Sequence, residues 1–206
     1  MFPFDAILFD VGKVLLTNGW DHNHRALLAE HFGLDFADFE ARHMQFFDEW
    51  ERDIIPLEAY LDRTVFYQPR SFSRDDYYAL MLAQSELIPD SAMGILQELA
   101  ASRPCLLGAL NNEARELNEY RFRRFGLNDL FDVAFSSCYV GLRKPDPAIY
   151  RRALDILSKP AERVLFIDDR MESIAGAAAA GMKTILYQGA AALRRDMEEL
   201  GVLQLA

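Results

Sequence analysis

Residues 4–19 read FDAILFDVGKVLLTNG. Ala6-Ile7-Leu8-Phe9 is a short apolar run that stops at an acid, Asp10, with Gly12 two positions further on. A strand covered on both faces of a parallel sheet has this near-continuous apolar character, whereas a strand with one wet face alternates. The stretch therefore predicts a buried first strand with a carboxylate where the chain leaves the sheet. Four further runs resemble it: Cys105–Leu110, Val133–Phe135, Val164–Ile167 and Thr184–Tyr187.

Helical patterns separate these runs. SAMGILQELAA, at 91–101, has a cap at Asp90 or Ser91. PAIYRRALDIL, at 147–157, carries Asp146 as N-cap and Pro147 at the first helical position, a combination that favours helix initiation. Met171–Ala180 is alanine-rich and ends at Gly181, a stop signal on a helix slim enough to lie close on a sheet. Strand–helix alternation of this kind predicts an α/β fold built on a doubly wound parallel sheet. Residues from about Trp20 to Leu87 break the alternation. They are rich in aromatic and charged residues, with helix-spaced apolar positions such as Leu57, Tyr60, Leu61 and Val65. This segment is expected to be an inserted all-helical cap whose aromatic residues form its own core, with breaks at Gly33, Pro56 and Pro69. The expected division is a core of residues 1–17 and 88–206 and a cap of residues 18–87.

The chain has 206 residues, 51% of them hydrophobic and 26% charged, which suits a globular protein with a sizeable core. A net charge of −10 argues against a general binder of nucleic acid or anionic membranes. The two cysteines, Cys105 and Cys138, form neither a disulfide framework nor a zinc pattern. No membrane-length apolar run and no leader-like segment is visible, so a cytoplasmic location is expected.

In open α/β sheets, ligands bind beyond the carboxyl ends of the strands. Asp10-Val11-Gly12 follows the first run, Asn111-Asn112 the second and Asp168-Asp169 the fourth, while Gly141-Leu142-Arg143-Lys144-Pro145 lies beyond the third. One sheet edge would thus gather three carboxylates, two amides and a lysine. Three acids held together need cationic compensation. Lys144 supplies one charge, and the all-oxygen donor set suits a divalent cation such as Mg2+.

Four pieces, ILFDVGKVL, LGALNN, SSCYVGLRKPDPAIYRRAL and VLFIDDRMESIAGAAAAGM, together make the chain similar to haloacid dehalogenase-like (HAD) hydrolases with a helical cap inserted after the first strand. The cap stretch ERDIIPLEAYL resembles the sugar-phosphate phosphatase branch. The resemblance implies magnesium-dependent hydrolysis of a small organic phosphate, plausibly a sugar or nucleotide phosphate, through an aspartyl-phosphate. It implies Asp10 as nucleophile, magnesium on Asp10, Asp169 and the Gly12 carbonyl, and Asp168 one shell further out. It implies Lys144 as the neutralising cation, and phosphate held by Val11, Gly12, Asn111, Asn112 and Lys144, with the Asn112 N–H at a helix start.

Three positions depart from the pattern. The family's phosphatases usually carry an acid–base aspartate where this chain has Gly12, a group worth about 10²–10⁴ in rate. Asn111 replaces a serine or threonine, and its amide can still donate to phosphate. Glu113 replaces a neutral residue and is expected to point away. His22 and His24 are the candidate substitutes for the acid and base, set against their reading as surface residues at a helix start. Trp20, Arg25 and Arg52 are cap residues that could face substrate. Two alternatives stand beside the phosphatase: a 2-haloacid dehalogenase of the same fold, and a catalytically weakened binding protein. The expected partner is a small phosphorylated molecule, with no nucleic acid and no membrane.

Overall fold

The computed structural model describes residues 2–204. Strand β1 spans Ala6–Phe9 and is followed by four helices, α1 His22–Phe32, α2 Phe36–Glu51, α3 Leu57–Thr64 and α4 Arg74–Ala83. The alternation then resumes with α5 Met93–Ser102, β2 Leu106–Ala109, α6 Arg115–Arg124, α7 Leu127–Leu130 and β3 Val133–Ala134. Short α8, Ser137–Val140, and α9, Pro147–Leu157, lead to β4 Val164–Asp168, α10 Met171–Ala179, β5 Lys183–Leu186 and α11 Ala190–Glu199. The five strands pair in parallel in the order β3-β2-β1-β4-β5. No described helix is long and apolar enough to cross a membrane.

The apolar run of β1 is continuous because both faces are covered. Ile7 and Phe9 pack on one side with Leu107, Leu165 and Ile167 beneath α5 and α11, and Ala6 and Leu8 on the other with Val164 and Phe166 beneath α9 and α10. Each face repeats every second residue, as the pleat requires. Asp146 caps α9 by accepting the Ala148 N–H at 2.8 Å. The small residues of α10 allow close approach: a Cβ on Gly176 would lie 2.6 Å from the Tyr150 ring. At α5, Ser91 meets the first turn, accepting from the Met93 N–H at 3.1 Å and donating to the Leu15 carbonyl at 2.6 Å.

Helices α1–α4 gather a separate apolar cluster around Trp20, Phe39, Trp50, Tyr60 and Tyr77, which meets Ala114 and Leu117 at α6. The Trp50 and Tyr60 rings stack at 4.1 Å. Gly33 ends α1 with φ +62°, and Pro56 precedes α3. A polar chain runs through this cluster. The Trp20 indole N–H donates to the Tyr60 hydroxyl at 2.9 Å, and that hydroxyl lies 2.8 Å from His43 Nδ1. With its oxygen accepting from Trp20, the Tyr60 hydroxyl has its own proton available for the Nδ1 of a neutral His43. Burial, reinforced by Arg25 and Arg143, pulls the His43 pKa down to about 3.

This depression makes stability depend on pH. Between the ordinary value of 6.5 and about 3, the unfolded chain binds a proton at His43 that the folded chain does not, so this contribution is present above 6.5 and lost as pH falls through the window. The slope attributable to His43 is about 1.4 kcal/mol per pH unit. Urea unfolding of wild type and His43→Asn at several pH values between about 4.5 and 7 should show the wild type losing stability more steeply; equal slopes would remove His43 from this role.

Candidate active site

Strand register sets the level of the site. Phe9 is in register with Ala109 of β2 and Ile167 of β4. Asp10 and Asp168 therefore leave neighbouring strands side by side, and the Asp10 N–H donates to the Ile167 carbonyl at 2.8 Å. Carboxylate oxygens of Asp10, Asp168 and Asp169 lie within 4.8 Å of one another.

Lys144 sits between two of them. Its Nζ is 3.0 Å from Asp10 Oδ1 and 2.6 Å from Asp168 Oδ2, with the lysine and Asp168 side chains 4% and 0% exposed. Burial works against the ammonium, but Asp10 and Asp168 outweigh it and raise the Lys144 pKa. Burial raises the Asp10 carboxyl to about 6; Lys144 opposes the rise and Asp168 adds to it. Burial and Asp168 also raise Asp169. Asp168 is tied further by the Arg170 N–H at 2.8 Å, and the Val11 N–H donates to Asp10 Oδ1 at 2.8 Å.

The loop after β2 departs from expectation in detail. Helix α6 starts at Arg115, with Ala114 as N-cap, so the Asn112 N–H is not at a helix start. Asn112 instead uses its side chain: Oδ1 accepts the Lys144 N–H and Nδ2 donates to the Lys144 carbonyl, both at 2.8 Å. This reciprocal pair fixes the backbone that carries the lysine. The Asn111 amide, expected to face phosphate, donates to Asn118 Oδ1 at 3.0 Å and accepts from the Ser136 hydroxyl at 2.8 Å. It is drawn into this buried amide–hydroxyl cluster while still bordering the cavity.

Glu113 does not point away. It is buried against Arg121 at the cavity wall, and burial, opposed by Arg121 and increased by Glu51, raises it to about 7. The expectation overlooked Arg121, two helical turns on, which supplies the partner. Neither His22 nor His24 is among the residues that line the cavity. The His22 side chain is 65% exposed beside Glu40, and His24 Nδ1 lies 3.2 Å from the Gly19 carbonyl. Trp20 borders the cavity. Arg25 instead pairs with Glu40, and Arg52 reaches Asp48 and the Gly141 carbonyl.

The cavity encloses about 270 Å³ between the sheet edge and the helices. Asp10, Gly12, Lys144 and Asp169 form its floor, Arg143 borders it beside Lys144, and Trp20 and Glu51 border it from the side of the helices. Arg143 joins the two sides, with Nε 2.6 Å from Glu51 Oε2 and Nη1 3.1 Å from Asp48 Oδ1. Asn18, Glu51 and Arg121 line the cavity with no local signal in the sequence, whereas Arg143 has one in its place beside Lys144.

The donors at the floor are oxygen atoms. Asp10 and Asp169 offer carboxylates, and the Gly12 carbonyl accepts none of the loop hydrogen bonds among the described residues, whereas its neighbour Val11 accepts from both Leu15 and Leu16. Such a set fits a hard divalent cation. The functional parts thus converge where β1 meets its neighbours at the centre of the sheet.

The family pattern described as haloacid dehalogenase-like hydrolase matches residues 4–181. A phosphatase of Mycobacterium tuberculosis is 30% identical over 212 residues, covering 96% of this chain and 95% of that protein. A phosphorylated carbohydrates phosphatase of Thermotoga maritima is 27% identical over 97% of this chain and 98% of its own. Some curated relatives are far longer, and the chain spans 13% of their length. In fold, the chain is similar to a family enzyme of Bacteroides thetaiotaomicron solved with magnesium and inorganic phosphate, at TM-score 0.73 and 17% identity, covering 90% of this chain and 95% of that one. It is also similar, at TM-score 0.61 and 21% identity over 88% of this chain and 82% of the other, to an L-2-haloacid dehalogenase. With the pattern extending from β1 to the end of α10, the chain belongs to the haloacid dehalogenase-like hydrolases.

Proposed function

We propose that the protein hydrolyses a small, hydroxylated phosphate monoester, a carbohydrate phosphate in chemical class, with magnesium. The observation that carries this reading is the buried Lys144 ammonium held between Asp10 and Asp168, with Asp169 beside them. Magnesium would be held by Asp10, Asp169 and the Gly12 carbonyl, and when bound would offset the negative charge of the phosphate and the carboxylates. Asp10 attacks phosphorus with one carboxylate oxygen, the ester P–O bond breaks, and the alcohol leaves. Water then breaks the bond between Asp10 and phosphorus, returning the free carboxylate. Lys144 accompanies both steps as the fixed cation, so the protein's contribution is chiefly position and charge.

The cavity supports the substrate class. Its volume of about 270 Å³ suits a compact molecule, and Trp20 is the one aromatic side chain among its lining residues. Glu51 offers an acceptor to hydroxyl groups, while Arg143 supplies a donor. The free thiols of Cys105 and Cys138, both raised to about 12 by burial, support placement in a reducing, cytoplasmic compartment.

Incubation with a panel of sugar phosphates, nucleotides and 2-haloacids should give magnesium-dependent phosphate release and no halide; halide release without magnesium would replace the phosphatase by a dehalogenase. Asp10→Asn should abolish phosphate release without loss of fold, because a carboxamide is nearly isosteric yet a poor nucleophile. Turnover retained by the purified variant would take the nucleophile role from Asp10. Lys144→Ala leaves two buried carboxylates uncompensated, an effect of about 3–5 kcal/mol, and kcat/KM should fall at least about a hundredfold. A loss below about tenfold would show that Lys144 is not part of the reacting assembly.

A further inference from the structure

Gly12 brings no side chain to the floor of the cavity, at the position where the family resemblance implies an acid–base group. The space is not vacant. A Cβ placed on Gly12 would lie 2.6 Å from Asn18 Oδ1 and 3.6 Å from Asn18 Cα and Cγ. The Asn18 side-chain oxygen therefore stands in the volume that a side chain at position 12 would enter, and the Nδ2 donor belongs to the same carboxamide at the cavity. Asn18 is exposed to the cavity and borders it together with Asp10, Gly12, Lys144 and Asp169.

The chain on both sides of Asn18 is pinned. Thr17 donates its N–H to the Glu86 carbonyl at 2.7 Å and its hydroxyl to the Gln84 carbonyl at 2.8 Å. Arg121 Nη2 donates to the Thr17 carbonyl at 2.5 Å. On the other side, Gly19 packs so tightly against Glu113, the ion-pair partner of Arg121, that a Cβ there would fall 1.9 Å from Glu113 Oε2. The buried Glu113–Arg121 pair has no role in the chemistry proposed for Asp10 and Lys144. Its contacts place it as the support that holds residues 17–19, and Asn18 with them, at the cavity floor.

We propose that Asn18 is a catalytic residue of this site, donating a hydrogen bond from Nδ2 to the ester oxygen as it leaves phosphorus. The proposal rests on the phosphatase reading. A carboxamide has a donor and an acceptor but does not titrate, so it stabilises charge and positions water without supplying the proton. As the ester P–O bond breaks, its electron pair stays on the alcohol oxygen, which takes a proton from solvent water. In the second half, the oxygen of one water bonds to phosphorus as the bond to Asp10 breaks. One proton of that water remains on inorganic phosphate, and the other replaces the proton taken from solvent.

Leaving-group dependence tests the role. With p-nitrophenyl phosphate the departing oxygen carries little charge, whereas with glycerol 2-phosphate it carries much. Asn18→Ala should lower the rate of the first step about 10- to 100-fold for glycerol 2-phosphate, and less than threefold for the nitrophenolate burst measured by rapid mixing. Magnesium affinity by calorimetry and Tm should stay as in wild type. Asn18→Asp, which puts a titratable carboxyl in the same space, should add a limb to the pH–rate profile of turnover. Equal losses on the two substrates, or no loss on either, would overturn the role, as would an Asn18→Asp profile that matches wild type in shape. If wild type itself releases phosphate from neither substrate nor from the wider panel, the phosphatase reading fails, an outcome distinct from a change confined to the variants.

Discussion

The Lys144 ammonium is the interaction on which the site depends. Parallel register brings Asp10 and Asp168 out of adjacent strands at one level, and Asp169 follows at once, so like charges are crowded by the same geometry that makes the sheet. Such a group of acids stays ionised only beside positive charge. Lys144, 3.0 Å from Asp10 and 2.6 Å from Asp168, provides it from inside the fold. By formal charge three acids outnumber the one ammonium, and burial holds the Asp10 carboxyl up even beside that lysine. A site with this residual negative charge is suited to a divalent cation and, once neutralised, to a phosphoryl group.

The four helices after β1 are joined to the sheet side mainly by polar contacts. Arg143 reaches Glu51 and Asp48, Arg115 reaches Asp53, and the Ser137 hydroxyl donates to the Glu51 carbonyl. Two contacts of Glu116, to the Trp50 indole and the Leu57 N–H, add to this seam. Of these, the more exposed Arg115–Asp53 pair contributes little, while Arg143–Glu51 is largely shielded from water. The cavity lies along this seam, and Arg143 spans it directly beside Lys144.

Much of the fold was open to local reading. The apolar runs became β1–β5 within a residue or two, and Pro147–Leu157 became α9 with Asp146 as its cap. Periodicity and capping act within one or two turns, so a short stretch carries their full information. The strand-end acids were legible for a similar reason: once five parallel strands are inferred, the residue after each run must lie at one edge. The aromatic residues of the inserted helices likewise read as a core of their own, and they pack as one.

The remaining parts of the site join residues far apart in the chain. Arg121 meets the Thr17 carbonyl across 104 positions, and Arg143 meets Glu51 across 92. No periodicity or cap encodes such pairs, and either partner alone reads as an ordinary polar or charged surface residue. Asn111 and Asn112 show the same limit at short range. Their identity as polar loop residues was evident, but their bonds to Asn118, Ser136 and Lys144 depend on where α6 and two other loops come to rest. Residue types and strand order therefore locate the chemistry. Packing determines which donors remain free for a substrate, because hydrogen bonds and ion pairs are satisfied by whichever groups the fold brings within about 3 Å.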